Sequence, residues 1–362
     1  MALRIIQVGM AAWGTTWAAI VQRSPETALV ACVDPNPVAL TAISADPTIA
    51  RFGSLEEALQ AVEADAVLIT AAVTAHVPLA LTALAAGKHV LLEKPFAPTL
   101  AEAEQVVAVA AATQRTLMIS QNYRFFPAPR TVAALVRGNV LGQIGSITID
   151  FRQNAAALLP PEHALFQMRQ PLLAEMAVHH FDLLRMILDD EATQVSCHTW
   201  SPPWSALAGP AAATATITCA NGTVINYRAN WASSAPATPW AGVWRMECEG
   251  GEIAWTSRNG RDASADLVVM RRYGEAARRV VLPKFRQLGR ESCLAAFVRA
   301  IRTRQQPECS GRDNLGTIAL MQSAIAAARS GQTVALPPTV VSPLWSYNPA
   351  SWLSRLRANS IL

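Results

Sequence analysis

The sequence predicts an α/β architecture followed by an α+β one: a doubly wound parallel sheet first, then a domain on a largely antiparallel open sheet. Three observations carry this. Short apolar runs alternate with helical stretches through the first third of the chain, a glycine-rich turn follows the first run, and hairpin signals succeed one another in the second half. The boundary is placed between residues 123 and 124, giving domains 1–123 and 124–362.

The first strand, Leu3 to Gly9, runs directly into Gly9-Met10-Ala11-Ala12-Trp13-Gly14. This is G-x-G-x-x-G spacing with alanine at the second glycine. The first glycine permits a tight turn, the middle position lets backbone approach a pyrophosphate at a helix N-terminus, and the last lets the helix pack on the strand. A second strand, Ala28 to Val33, ends in Asp34, about 20 residues further on, where an acid holds the adenosine ribose hydroxyls. Pro35 follows rather than an arginine, which favours NAD over NADP. The alternative for Asp34 is a turn residue before Pro35-Asn36-Pro37.

Helix and strand then alternate. Leu55 to Val62 reads as helix, Ala66 to Thr70 as strand, Val77 to Ala86 as helix and His89 to Leu92 as a buried strand. Leu100 to Thr113 is helical, Thr116 to Ser120 extended, and the parallel sheet ends near Gln121-Asn122-Tyr123-Arg124. Beyond it, Gly145 to Gln153 alternates like a half-buried strand. Asn221-Gly222 joins Thr214–Cys219 to Thr223–Ala229, a strong hairpin signal. Further hairpins turn at Gly250-Gly251 and around Gly274, the latter pairing Leu267–Arg272 with Arg278–Leu282. Helices follow near Arg290–Arg304 and Asn314–Ala328, and the proline-rich tail after Leu336 carries weak signals.

Composition bounds the function. Of 362 residues 51% are hydrophobic and 15% charged, which describes a well-buried globular chain. A net charge of +4 with no basic, aromatic-interleaved run argues against nucleic acid. Ala66 to Gly87 carries no formal charge, but His76 and Pro78 interrupt it, so a buried strand and helix explain it better than a membrane span. Six scattered cysteines without C-x-x-C fit reduced cytoplasmic thiols rather than a zinc ribbon or disulfide framework.

Two stretches carry chemistry. Gly87-Lys88-His89-Val90-Leu91-Leu92-Glu93-Lys94-Pro95 ends a parallel strand on a lysine, where open α/β sheets bind ligands. The chain has three lysines among its 30 basic residues, so a compact ammonium here is a departure from its habit; a solvated strand-end charge is the alternative. The second stretch, Pro171 to Leu188, is apolar almost all round and reads as a buried helix. Glu175, His179 and Asp182 at i, i+4 and i+7 share one face. Burying three ionisable groups is costly unless they pair or line a cavity, and a histidine backed by a carboxylate is a sensible general base. The stripe could instead be a structural network, with Asp182 on Arg185, and His180 could be a satisfied core histidine. No H-E-x-x-H accompanies it, so no metal is expected.

With these motifs, and with Ala86-Gly87-Lys88-His89-Val90, Asn122-Tyr123-Arg124-Phe125 and Ser310-Gly311-Arg312-Asp313-Asn314, the chain resembles the Gfo/Idh/MocA oxidoreductases from Leu3 to about Pro337. The resemblance implies a Rossmann domain, a second domain whose open sheet face forms homodimers or homotetramers, a cis Lys94-Pro95 bond, and catalytic roles for Lys94 and His179. Four positions depart from the family: Glu175 replaces an aspartate, Ala177 a glycine, and Ala71-Ala72 a Thr-Pro near the nicotinamide. The expected activity is hydride transfer between a secondary alcohol of a sugar, polyol or related ring and NAD. Lys94, His179 and Glu175 are the catalytic set. The cofactor is expected along Gly9, Ala11, Ala12, Trp13, Gly14, Asp34, Ala71, His76, Glu93, Lys94 and Tyr123, and the substrate at Lys94, Arg124, Asp182 and His179. An NAD-dependent glycosidase or lyase, or a sugar or NAD sensor, are the alternatives. Eight of the ten tryptophans lie from Trp200 onward, and Trp204 and Trp240 in proline-rich loops suit ring-shaped ligands or packing.

Overall fold

The computed structural model describes residues 1–41, 46–260 and 262–337. The chain forms two compact units: Met1–Asn122 with Gly289–Ile318, and Tyr123–Leu288 with the chain from Ala319 onward. Where the sequence predicts one crossing at 123–124, the chain therefore also returns to the first unit after Leu288. The tail beyond residue 337, with Trp345 and Trp352, lies outside the described residues.

The first unit holds β1 (Leu3–Val8), α1 (Ala12–Arg23), β2 (Thr27–Val33), α2 (Pro37–Thr41), β3 (Ala50–Phe52), α3 (Leu55–Ala61), β4 (Ala66–Ile69), α4 (Val73–Ala85), β5 (His89–Leu92), α5 (Leu100–Ala112) and β6 (Leu117–Ile119). The sheet order is β3-β2-β1-β4-β5-β6, every pair parallel. The order reverses beside β1, the arrangement that places ligands at strand C-termini. All of β4 and β6 is buried, as expected of strands covered on both faces. Ser54 and Thr99 accept the N–H groups of Glu57 and Glu102 and so start α3 and α5. Helix α4 begins four residues earlier than its periodicity predicts and carries Pro78 within it.

The second unit holds α6 (Pro127–Arg137), β7 (Ile144–Arg152), α7 (Ala155–Leu158), α8 (Val178–Leu188), β8 (Ala192–Trp200), β9 (Ala212–Cys219), β10 (Val224–Asn230), β11 (Val243–Cys248), β12 (Gly251–Thr256), β13 (Leu267–Arg272) and β14 (Arg278–Arg279). Helix α9 (Gly289–Thr303) belongs to the first unit, and α10 (Gly311–Ser330) and β15 (Val334–Ala335) close the described chain. The order β14-β13-β12-β11-β7-β10-β9-β8-β15 is antiparallel except for β7 and β10. The three predicted hairpins are present, the last shortened to two residues of β14.

Two features escape the sequence. Helix α6 starts at Phe126-Pro127-Ala128-Pro129, which reads as a breaker; the remote, buried Asp266 accepts the Ala128 N–H at 3.2 Å and so caps it. The predicted single helix over 171–188 opens as a π-helix, Pro171–Ala177, before α8 takes over. Such wide turns are rare and concentrate at functional sites.

Candidate active site

In the first unit the turn after β1 is shaped by what cannot fit. Gly9 has φ +90°, and a Cβ there would lie 2.5 Å from the Ala71 nitrogen; a Cβ on Gly14 would lie 2.2 Å from the Gly9 oxygen. Thr70 Oγ1 donates to the Gly9 carbonyl and Gln7 Nε2 to the Gly14 carbonyl, each at 2.6 Å. Asp34 accepts the Met10 N–H at 2.7 Å, which ties the end of β2 to this turn. The turn is thus rigid and lies at the N-terminus of α1, where an anion is favoured.

Strand β5 delivers Glu93 and Lys94. Glu93 is buried and accepts from Trp17 Nε1 (2.8 Å), Arg290 Nε (3.0 Å), Ser120 Oγ (3.3 Å) and the Lys94 N–H (3.0 Å). Burial alone would raise its pKa; the Arg290 and Lys94 charges and the Trp17 and Arg290 hydrogen bonds outweigh that and hold it below the ordinary carboxylate value. Glu93, expected at the cofactor, is enclosed by these donors and forms a hub that fixes the turn. Lys94 beyond it is half-exposed, and the Lys94-Pro95 bond is cis, as expected.

His76 is likewise a brace. Its Nδ1 lies 2.9 Å from the Pro95 carbonyl and its Nε2 3.0 Å from the Ala71 carbonyl, so the ring, expected at the cofactor, joins the β4 and β5 exits. Burial pushes its pKa down while the two carbonyls oppose the shift. Trp13 is 52% exposed, and the Arg290 guanidinium lies 4.1 Å from its ring centroid.

A dinucleotide fits these residues. Gln121, fully buried just past β6, has neither its amide oxygen nor its nitrogen bonded among the described residues, and Asn122 Oδ1 beside it is in the same condition. A buried amide left without partners is costly, and these follow the C-terminal end of β6, on the side of the sheet where nucleotides bind. Sequence reading located this pair as the end of the sheet but gave it no role. The signal available was two amides directly after an apolar strand.

In the second unit His179 and Asp182 lie on α8, both buried. The Tyr123 ring stacks on the His179 imidazole with centroids 3.9 Å apart and planes 7° from parallel. The Arg258 guanidinium also lies 3.9 Å from the Tyr123 centroid. Two groups that close to one centroid cannot share a face, so Tyr123 is sandwiched between imidazole and guanidinium. Arg124 donates to Asp182 through Nε and Nη2, both at 2.6 Å, and each side chain is 1% exposed. Arg124 and Asp182, both expected at the substrate, thus meet each other, and the pair ties Arg124 to α8. Arg185, the other candidate partner for Asp182, meets Glu191. Glu175, half-buried, stands in the π-helical stretch, three residues before α8 begins at Val178.

His180 is the satisfied core histidine. Its Nδ1 is 3.0 Å from the Tyr227 hydroxyl and its Nε2 3.1 Å from the Trp240 carbonyl. A carbonyl only accepts, so Nε2 carries the proton and Nδ1 accepts from Tyr227. Burial pushes the His180 pKa down to about 4. Burial also pushes the Cys32 and Cys219 thiols up to about 12, which makes them poor nucleophiles. No group of three or more histidine, cysteine, aspartate or glutamate side chains among the described residues is placed to hold a metal, and no described helix is long and apolar enough to cross a membrane.

Residues 3–121 match the family model described as "Oxidoreductase family, NAD-binding Rossmann fold", and residues 130–253 match "GFO/IDH/MocA C-terminal domain". The chain is 28% identical over 287 residues to a D-apiose dehydrogenase of Paraburkholderia graminis, covering 77% of this chain and 74% of that one. It is 25% identical over 333 residues to an inositol 2-dehydrogenase of Rhizobium meliloti, covering 90% and 96%. Among solved structures, an oxidoreductase from Agrobacterium radiobacter in complex with NAD+, L-tartaric acid and magnesium shares the fold, with a TM-score of 0.81 at 19% identity over 92% of this chain and 98% of that one.

Proposed function

The chain belongs to the Gfo/Idh/MocA family of sugar and polyol oxidoreductases, and on that premise we propose that it moves a hydride between a secondary alcohol of a sugar, polyol or related ring and NAD. The observation that carries the proposal is Lys94: a half-buried lysine at the C-terminal end of a parallel strand, directly after a carboxylate that protein donors enclose.

NAD, when bound, supplies the hydride acceptor. The turn from Gly9 to Gly14 offers backbone to the pyrophosphate, and Asp34, half-buried, offers a carboxylate to the adenosine ribose. Gln121 and Asn122 have amide atoms to spend on the ligand. Lys94 donates a hydrogen bond to the substrate hydroxyl oxygen and stabilises the negative charge that grows there. His179 takes the proton of the same hydroxyl, and Tyr123 holds its ring in plane. Glu175 supports the imidazolium once formed. In the reverse direction Lys94 and His179 return the proton to a ketone oxygen. The protein works as a homo-oligomer in this reading.

The test is NADH formation by the full chain with a panel of sugars, inositols and anhydrosugars. Lys94→Ala and His179→Ala are each expected to lower kcat by about 10²–10⁴-fold, with NAD affinity preserved in equilibrium titrations. Cleavage of an aryl glycoside without net NADH would replace the proposal by a glycosidase. Tight NAD binding with neither reaction would replace it by a sensor.

A further inference from the structure

We infer that Arg258 is a positioning residue for His179, acting through Tyr123 to fix the plane of the imidazole. The inference rests on the reading of His179 as the base. Three residues far apart in sequence form one column, imidazole on phenol ring on guanidinium, with both spacings at 3.9 Å.

The column is built rather than incidental. Arg258 sits at φ +65°, a left-handed conformation that a non-glycine residue holds only when its surroundings insist. What insists is Asp266, which is buried and accepts the Arg258 N–H at 2.9 Å and the Ser257 hydroxyl at 2.8 and 2.9 Å. The same carboxylate caps α6 through Ala128, so the helix following Tyr123 and the loop bearing Arg258 share one anchor. The guanidinium spends its face on rings, Tyr123 at 3.9 Å and Phe126 at 5.3 Å, and its Nε has no hydrogen-bond acceptor among the described residues. Cation–π attraction is strongest for such partly desolvated pairs. A ring attracted on one face by a cation cannot tilt away from the histidine on the other.

This matters because a base must meet its proton along a defined direction, and small misplacements are costly in rate. Removing Arg258 frees Tyr123 to rock and the imidazole with it, while leaving Lys94 and the NAD-binding turn untouched.

The experiment uses the full chain labelled at its six histidines and observed by ¹H–¹³C NMR of the imidazole Cε1–H groups. His179→Asn assigns the resonance, and Tyr123→Leu marks its position without the ring current of the stacked phenol. Arg258→Ala is expected to move the resonance toward the Tyr123→Leu position and to lower kcat about tenfold or more, with KM for NAD held within about twofold. Arg258→Lys, which keeps a cation over the ring, is expected to restore both readouts in part, against the unfolding of a merely damaged loop. A resonance unmoved in Arg258→Ala overturns the inference, as does a rate loss that Arg258→Lys repairs no better than alanine. If no substrate is turned over at all, the reading of His179 as base falls, and the resonance alone decides whether Arg258 holds the ring.

Discussion

Glu93 in the first unit and Asp182 in the second are both buried carboxylates beside a proposed catalytic residue, but they are satisfied in opposite ways. Glu93 spreads its charge over donors from α1, α9, the end of β6 and its own chain. Asp182 accepts two short bonds from a single guanidinium. A distributed acceptor survives the loss of any one donor because the others remain and charge is still compensated. A bidentate pair is more easily broken, since removing one member takes away two short bonds at once and leaves the other buried beside the gap. The first unit is therefore tolerant around its functional group and the second is brittle.

Asp182→Ala tests the brittle side and has the largest expected effect. It leaves the Arg124 guanidinium at 1% exposure without that carboxylate and should cost about 3–5 kcal/mol of stability, read as a lower urea midpoint. Arg124→Met with Asp182→Leu should recover most of it, because replacing a whole buried pair by apolar groups is often neutral. A loss below about 1 kcal/mol for the single variant would remove the distinction between the two carboxylates.

Acid provides the second test. His180 has its pKa depressed to about 4 from an ordinary value of 6.5, so below pH 6.5 the unfolded chain takes a proton that the folded chain refuses. Stability from this group is full above pH 6.5 and is lost as pH falls toward 4, to a limit of roughly 3 kcal/mol. Glu93 is also depressed, but it is a carboxylate: its contribution is present above its ordinary value of 4.5 and is lost only as pH falls through its lower folded value. Between pH 6.5 and 4.5 the His180 contribution should fade while that of Glu93 holds, and the first unit should loosen in the same window through His76 and His89, whose pKa values burial also lowers. Amide exchange resolved by peptide should then rise in β10 and α8, and His180→Gln should remove that rise while leaving any rise in β4 and β5 in place.

The same contrast decides what could be read from sequence. In the first unit the active features are local: a glycine turn, an acid about 20 residues on, and a lysine at a strand end, each set by spacing along the chain. The brace roles of Glu93 and His76 were out of reach because their partners, among them Arg290 and the Pro95 carbonyl, are fixed only by folding. In the second unit almost nothing is local. Helix α6 is capped by a residue 138 positions away, the column draws on positions 123, 179 and 258, and Asp182 is paired with Arg124 rather than with the arginine one turn along. The buried helix with His179 was legible from its polar stripe. Its π-helical opening was not, since no local residue preference separates it from an α-helix.

Ser120→Ala carries the smallest expected effect and the sharpest test of a distributed carboxylate. The Ser120 hydroxyl gives Glu93 the longest of its four bonds, at 3.3 Å, while Trp17, Arg290 and the Lys94 N–H stay in place. The loss should be roughly 1 kcal/mol, the net worth of one hydrogen bond to a group whose charge is otherwise matched, with kcat unchanged within about twofold. A penalty near that of Asp182→Ala would mean that Glu93 depends on every donor at once. In that case the two carboxylates do not differ in how they fail.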